Sequence, residues 1–156
     1  MVSLMIAVIQ RVSSASVIAD GKFTCKINNG IAVLLGVIEA DDEEDAELLS
    51  DKITNIRIFS DDSGKMNYSV KDIDGEILIV PNFTLGADYK KGNRPSYTKC
   101  AKPVEASHLF DYFCDYTKIK VSKTEHGIFG ADMKFSIQND GPVTIVLDSK
   151  VLKGKI

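Results

Sequence analysis

Apolar and polar positions alternate along this chain with two different periods, and each change of period marks a change of element. From Met5 to Val12, MIAVIQRV, Ile6 and Val8 fall on one side and Ala7 and Ile9 on the other, which predicts a first strand. Arg11 is out of place in it, since a guanidinium must reach water past the sheet or find acceptors such as backbone carbonyls. Ser13 to Val17 and Lys22 to Ile27 read as strand pieces around an Asp20-Gly21 hairpin turn. Gly30 to Val37, GIAVLLGV, is nearly unbroken in apolar residues, as suits a core strand covered on both faces. Ile56 to Ser60, Met66 to Val70, Glu76 to Val80, Val121 to Glu125 and Ala131 to Gln138 supply further strands. Val143, Ile145 and Leu147 alternate again, so Asn139-Asp140-Gly141-Pro142 is expected to be a turn linking two strands.

Helical spacing replaces alternation twice. Ala46, Leu49, Ile53 and Ile56 form an apolar stripe behind an acidic start in which Asp41 or Asp42 can cap. After Pro103, Ala106, Leu109, Phe110 and Phe113 share one face of a second helix, with His108 off that face and on the surface. About eight short strands and two amphipathic helices predict a compact α+β fold, with residues 1–156 as one domain.

The pattern breaks most sharply between Ile77 and Pro95, ILIVPNFTLGADYKKGNRP. Pro81 removes a backbone donor at the end of an apolar strand, which should stop regular pairing and leave Asn82 and Thr84 on irregular backbone. A functional site is expected there. Charge supports the location: Lys90, Lys91, Arg94, Lys99 and Lys102 lie between Tyr89 and Val104 with no acid among them, although the net charge is −3. Eight acids lie between Glu39 and Asp51, and the helix start accounts for them. A Debye length of about 8 Å lets the cationic stretch hold phosphates regardless of the sum.

Composition narrows the chemistry. A hydrophobic fraction of 44% and a charged fraction of 26% are those of an ordinary globular protein. No apolar run nears the roughly 18 residues that span a bilayer, and MVSLMIAVIQRV lacks a basic leader, so a cytoplasmic protein without a membrane partner is expected. Cys25, Cys100 and Cys114 are widely separated and only His108 and His126 are present, which argues against disulfides, zinc or any other metal. No cofactor is implied. A triad hydrolase is also disfavoured, as there is no glycine-flanked serine elbow.

Five segments are recognisable together: IQRV at the start, GKMNYSV from Gly64 to Val70, NFTLGADYKKGNRPSY from Asn82 to Tyr97, FGADM from Phe129 to Met133, and NDGPVTI from Asn139 to Ile145. In this order, over nearly the whole length, they resemble the D-aminoacyl-tRNA deacylase family. The resemblance implies a barrel-like core and a metal-free homodimeric hydrolase that cleaves the ester joining a D-amino acid, or glycine, to the terminal adenosine of tRNA. It implies that Gly141 and Pro142, with a cis bond, enter the partner subunit's site and exclude L-side chains, and that Arg11 anchors this loop. Pro81, Asn82, Phe83 and Thr84 would be the other half of the site, where the family usually has Ser-Gln-Phe-Thr. Pro81 lacks the serine hydroxyl, and Asn82 is one methylene shorter than glutamine.

The family resembles a case in which the RNA's own 2′-hydroxyl assists, while the protein supplies orientation and backbone N–H stabilisation of the developing oxyanion. Thr84 as a nucleophile is the older alternative, and the sequence offers it no adjacent base. Phe129 and Met133 would line the adenine pocket, and Lys90, Lys91 and Arg94 would meet acceptor-end phosphates. Two rivals follow from the changes at Pro81 and Asn82: a deacylase with relaxed chirality, and a tRNA-binding module without catalysis.

Overall fold

The computed structural model describes residues 4–154. Its organising element is β1, Ile6–Ala19, a strand of 14 residues that is paired along both edges. On one edge its first half pairs antiparallel with β3, Gly30–Gly36, and its second half with β2, Lys22–Ile27. Asp20 and Gly21 close the β1–β2 hairpin with φ of 49° and 78°, the left-handed pair that such a turn requires. Along the other edge runs β8, Met133–Asp148, antiparallel from Ala19↔Met133 to Ile6↔Asp148. The two strand pieces expected before and after Val12 are therefore one strand.

Parallel neighbours complete the sheet: β6, Glu76–Pro81, lies beside β3, and β7, Thr124–His126, beside β6. Parallel pairing demands long crossovers, and the two amphipathic helices supply them. α1, Glu43–Asn55, lies on the path from β3 to β6, and α2, Pro103–Lys120, on the path from β6 to β7. The Cys25 thiol in β2 donates to the His126 carbonyl in β7 at 3.5 Å, so the sheet curls back on itself and is nearly closed into a barrel. β4, Phe59–Ser60, and β5, Met66–Tyr68, form a separate small pair.

β3 and β6 are buried on both faces, as the apolar run of β3 predicts. Ile31, Val33, Leu35, Ile77 and Ile79 face the helices with Leu49, Ile53, Phe110 and Phe113, while Ala32, Leu78 and Val80 face the barrel with Val17 and Ile27. Asp42 caps α1 in a reciprocal box with Asp45, whose carboxylate is fully buried against Ser149 Oγ at 2.6 Å and Lys153 Nζ at 3.1 Å. The acidic run is thus structural where it is buried.

Several expected boundaries move. Asn139 to Pro142 is not a turn between two strands: both flanks pair with β1, and residues 140–143 bulge out of β8 between Val12↔Asn139 and Gln10↔Thr144. Ile56 to Ser60 contracts to Phe59–Ser60, and Met66 to Val70 to Met66–Tyr68, which pair with each other. A third helix, α3, Ser149–Leu152, is a single turn and too short to carry a period. Among the described residues no helix is long and apolar enough to cross a membrane.

Candidate active site

The site begins where β6 stops. Alternation along β6 sends Asn82 N–H to the Leu35 carbonyl of β3 at 2.8 Å and the Ile79 carbonyl to Gly127 N–H at 2.8 Å, toward β7. Pro81 therefore turns its donor-less nitrogen toward β7, beyond the last paired residue of that strand, where no ladder bond is lost. Its ring instead packs on Gly127: a Cβ on Gly127 would lie 3.6 Å from Pro81 Cδ and 2.6 Å from Met133 Sδ. A Cβ at position 127 would displace the Met133 thioether while keeping ordinary contact with Pro81.

Past Pro81 the chain winds into a 3-10 turn, Phe83–Gly86, with Asn82 at its start. Thr84 donates its hydroxyl proton to Asn82 Oδ1 at 2.5 Å, so the two polar side chains form one unit on an exposed turn. The turn is seated by glycines. A Cβ on Gly36 would fall 2.8 Å from Leu85 Cβ, and one on Gly86 would fall 2.8 Å from both Cys100 Sγ and Ile38 Cδ1. The Cys100 thiol donates to the Phe83 carbonyl at 3.2 Å, and desolvation raises its pKa, which keeps it a neutral donor. Ala101 N–H to the Val37 carbonyl, 3.1 Å, and Glu39 N–H to the Lys99 carbonyl, 2.9 Å, strap this segment to the end of β3.

Phe83 carries its ring outward, 58% exposed, and meets Tyr97, 40% exposed, edge to face with centroids 5.1 Å apart. Tyr97 follows the Asp88–Ser96 bridge, whose two backbone bonds of 2.7 and 2.8 Å close a projecting loop. Tyr89, Lys90, Lys91, Gly92, Asn93 and Arg94 are all exposed on that loop. Asp88 organises its base: the carboxylate accepts from Lys90 N–H at 3.0 Å and pairs with Lys99 at 3.4 Å, and these bonds hold its pKa below the usual carboxylate value.

Phe129 is half-buried beside Phe110, centroids 6.3 Å apart, and Phe110 in turn meets the His126 ring at 6.0 Å. His108 is on the surface, 3.6 Å from Glu43. Arg11 donates from Nε to the Asp140 carbonyl at 3.0 Å and from Nη1 to the Ile58 carbonyl at 2.8 Å. It finds the carbonyl acceptors that its place in an apolar strand required. The bulge it touches holds the Gly141-Pro142 cis bond, with Gly141 at φ 129° and both residues exposed.

The structure thus brings together Pro81, Asn82, Phe83 and Thr84, with Met133 and Pro81 both beside Gly127 and the Lys90, Lys91, Arg94 loop beyond Phe83. Gly141, Pro142 and Arg11 are not part of that group within one chain. Pro81 is level with Leu35 and hence with Ala7, four residues from Arg11 and three strands from β8. At ~3.3 Å per residue and ~4.8 Å per strand the separation along the sheet is on the order of 20 Å. Sequence reasoning did not single out Tyr97, Cys100, Gly36 or Gly127, whose roles arise from contacts distant in the chain. Among the described residues, no group of three or more His, Cys, Asp or Glu is placed to hold a metal ion.

Comparison with known proteins identifies the family. The family model for D-Tyr-tRNA(Tyr) deacylase matches residues 8–148. A D-aminoacyl-tRNA deacylase of Flavobacterium psychrophilum is 53% identical over 94% of this chain and 98% of its own. One of Caldicellulosiruptor bescii is 48% identical over the same shares. Among solved structures, the c-Myc DNA Unwinding Element Binding Protein is 40% identical with a TM-score of 0.86, covering 91% of this chain and 97% of that one. A probable eukaryotic D-amino acid tRNA deacylase, 17% identical with a TM-score of 0.79 and covering 92% of this chain and 98% of its own, shares the fold. With the family model spanning both the strand-end turn and the Gly-Pro bulge, the chain belongs to the D-Tyr-tRNA(Tyr) deacylase family.

Proposed function

We propose that this chain hydrolyses the ester bond of D-aminoacyl-tRNA, and of mischarged glycyl-tRNA, releasing free amino acid and tRNA. The observation that carries it is the exposed Asn82–Thr84 turn, set between Met133 and a cationic loop, in a chain half identical to proteins named for that activity. Water adds to the ester carbonyl carbon, the bond to the ribose 3′-oxygen breaks, and that oxygen leaves as the hydroxyl of the terminal adenosine. Thr84 is a poor nucleophile here, because its proton rests on an amide oxygen that cannot act as a base. Asn82 and Thr84 instead orient the ester, with the RNA's 2′-hydroxyl assisting and backbone N–H groups of the turn facing the oxyanion. Neither step needs a serine at position 81 or a bound cofactor.

Phe129 and Met133 receive the adenine, and Lys90, Lys91 and Arg94 the phosphates behind it, a salt-sensitive contact. Gly141 and Pro142 act in a second copy of the chain, where their carbonyls oppose the α-carbon and leave no room for an L-side chain. A homodimer joins halves that one protomer keeps apart, and Arg11 holds the inserted bulge by its Asp140 carbonyl. Such an enzyme serves translation quality control in the cytoplasm.

The test is hydrolysis of D-Tyr-tRNA, L-Tyr-tRNA and Gly-tRNA with a chelator control, at low and moderate salt. Rapid loss of the D and glycyl esters, with the L ester spared and KM rising with salt, is expected. Loss of the L ester as well would favour the relaxed-chirality relative. Binding of tRNA without hydrolysis, rescued by Pro81→Ser with Asn82→Gln, would favour a binding module that lost catalysis with those side chains.

A further inference from the structure

We propose that Phe83 and Tyr97 form a stacking platform for the base of the nucleotide preceding the terminal adenosine, with Tyr97 as a binding residue for the substrate. This rests on the deacylase reading above and extends it from the ester to the RNA. The surface elements occur in a fixed spatial order. Met133 and Pro81 flank Gly127, Asn82 and Thr84 come next, then the Phe83 ring, then Tyr97, then the Asp88–Ser96 bridge and the loop bearing Lys90, Lys91 and Arg94. An RNA 3′ end with its adenosine at Met133 and its phosphates at that loop would run past the aromatic pair, which lies between them in this succession of contacts.

The pair is built to be met rather than buried. Both rings are exposed, at 58% and 40%, although two apolar rings in contact gain by withdrawing from water. The backbone that carries Phe83 is held in place, because its carbonyl accepts from the Cys100 thiol and Leu85 of its turn lies against Gly36. Tyr97 is held by its place between the Ser96 bridge and its own carbonyl, which accepts from Cys100 N–H at 3.1 Å. Exposed rings beside lysines and an arginine are what unpaired bases stack on, for a gain independent of base identity. Tyr89, 82% exposed on the same loop, extends the aromatic track toward the cations.

The experiment compares Tyr97→Ala, Tyr97→Leu and Tyr97→Phe on D-Tyr-tRNA and on 3′-O-D-tyrosyl-adenosine, which has no preceding nucleotide. A stacking platform predicts that Tyr97→Ala and Tyr97→Leu raise KM for the tRNA by about tenfold with kcat retained, and leave the adenosine ester unaffected. Tyr97→Phe, which keeps the ring, should behave as the parent. A tRNA abasic at the preceding nucleotide should cost the parent the same factor and the Tyr97→Ala variant nothing more. Equal losses on both substrates would overturn the proposal, because Tyr97 would then only prop Phe83. An unchanged KM for the tRNA would overturn it as well. Failure of the unaltered protein to hydrolyse either ester would instead defeat the deacylase reading, and the platform with it.

Discussion

Asp41 sends one carboxylate oxygen inward with no hydrogen-bond partner among the described residues, while the other accepts from Ile38 N–H at 2.7 Å. Burial is the main reason its pKa rises from 3.8 to about 7, and Asp45 and Asp148 add to the rise. The sign of the consequence is fixed. Between those two values the folded protein keeps a proton that the unfolded chain releases, so this group's stabilisation is complete below about pH 4 and is lost as pH climbs through 7. Asp41→Asn, neutral throughout, should therefore be more stable than the parent at pH 8 and no more stable at pH 3, read as urea midpoints. Equal midpoint shifts at the two pH values would remove the titration from the account. The sequence offered Asp41 and Asp42 as interchangeable caps, since adjacent carboxylates before a helix look alike. The structure separates them: Asp42 caps α1, and Asp41 ties off the end of β3.

Among the elements, the 3-10 turn Phe83–Gly86 owes its place to what its neighbours lack. Gly36→Ala would drive a methyl to 2.8 Å from Leu85 Cβ and 3.1 Å from the Asn82 carbonyl. Overpacking of this kind typically costs about 1–3 kcal/mol, a loss that a domain of this size can survive folded. A shift of the turn approaching 1 Å would cost far more in rate, on the order of a hundredfold in kcat. Gly36→Ala should therefore still show a cooperative thermal transition while hydrolysis of D-Tyr-tRNA collapses; retained kcat would show that the turn tolerates displacement. Pro81 made the strand end legible in the sequence, and the alternation of β6 and the stripes of α1 and α2 were legible too. Gly36 was not, because an apolar strand shows no sign of which residue must admit a neighbouring turn.

At the scale of the whole molecule the candidate halves are separated by the width of the sheet, and two copies are what would reunite them. Co-expression supplies the test. A chain with Asn82→Ala and Thr84→Ala retains an intact bulge, and one with Gly141→Ala and Pro142→Ala retains an intact turn. The second alone should lose its preference for D-Tyr-tRNA over L-Tyr-tRNA, and assembly with the first should restore it; a ratio unmoved by co-assembly would confine each site to one chain. The motif NDGPVTI set the bulge apart by its family resemblance, whereas alternation alone made it a turn between two strands. The error has a physical origin, since a bulge and a turn both interrupt a two-residue period. Only the partner strand tells them apart.

That partner strand reveals an arithmetic in β8. Two steps along β1, from Val12 to Gln10, face five along β8, from Asn139 to Thr144, an excess of three. An odd excess inverts the pleat. Met133, Phe135 and Ile137 accordingly point into the barrel, while Val143, Ile145 and Leu147, of the same odd numbering, point to the helices. The parity of the bulge, independent of its chemistry, lets a single strand wall two cores. Shortening it by one residue would turn one half of β8 inside out, whereas shortening it by two would leave both cores lined as they are.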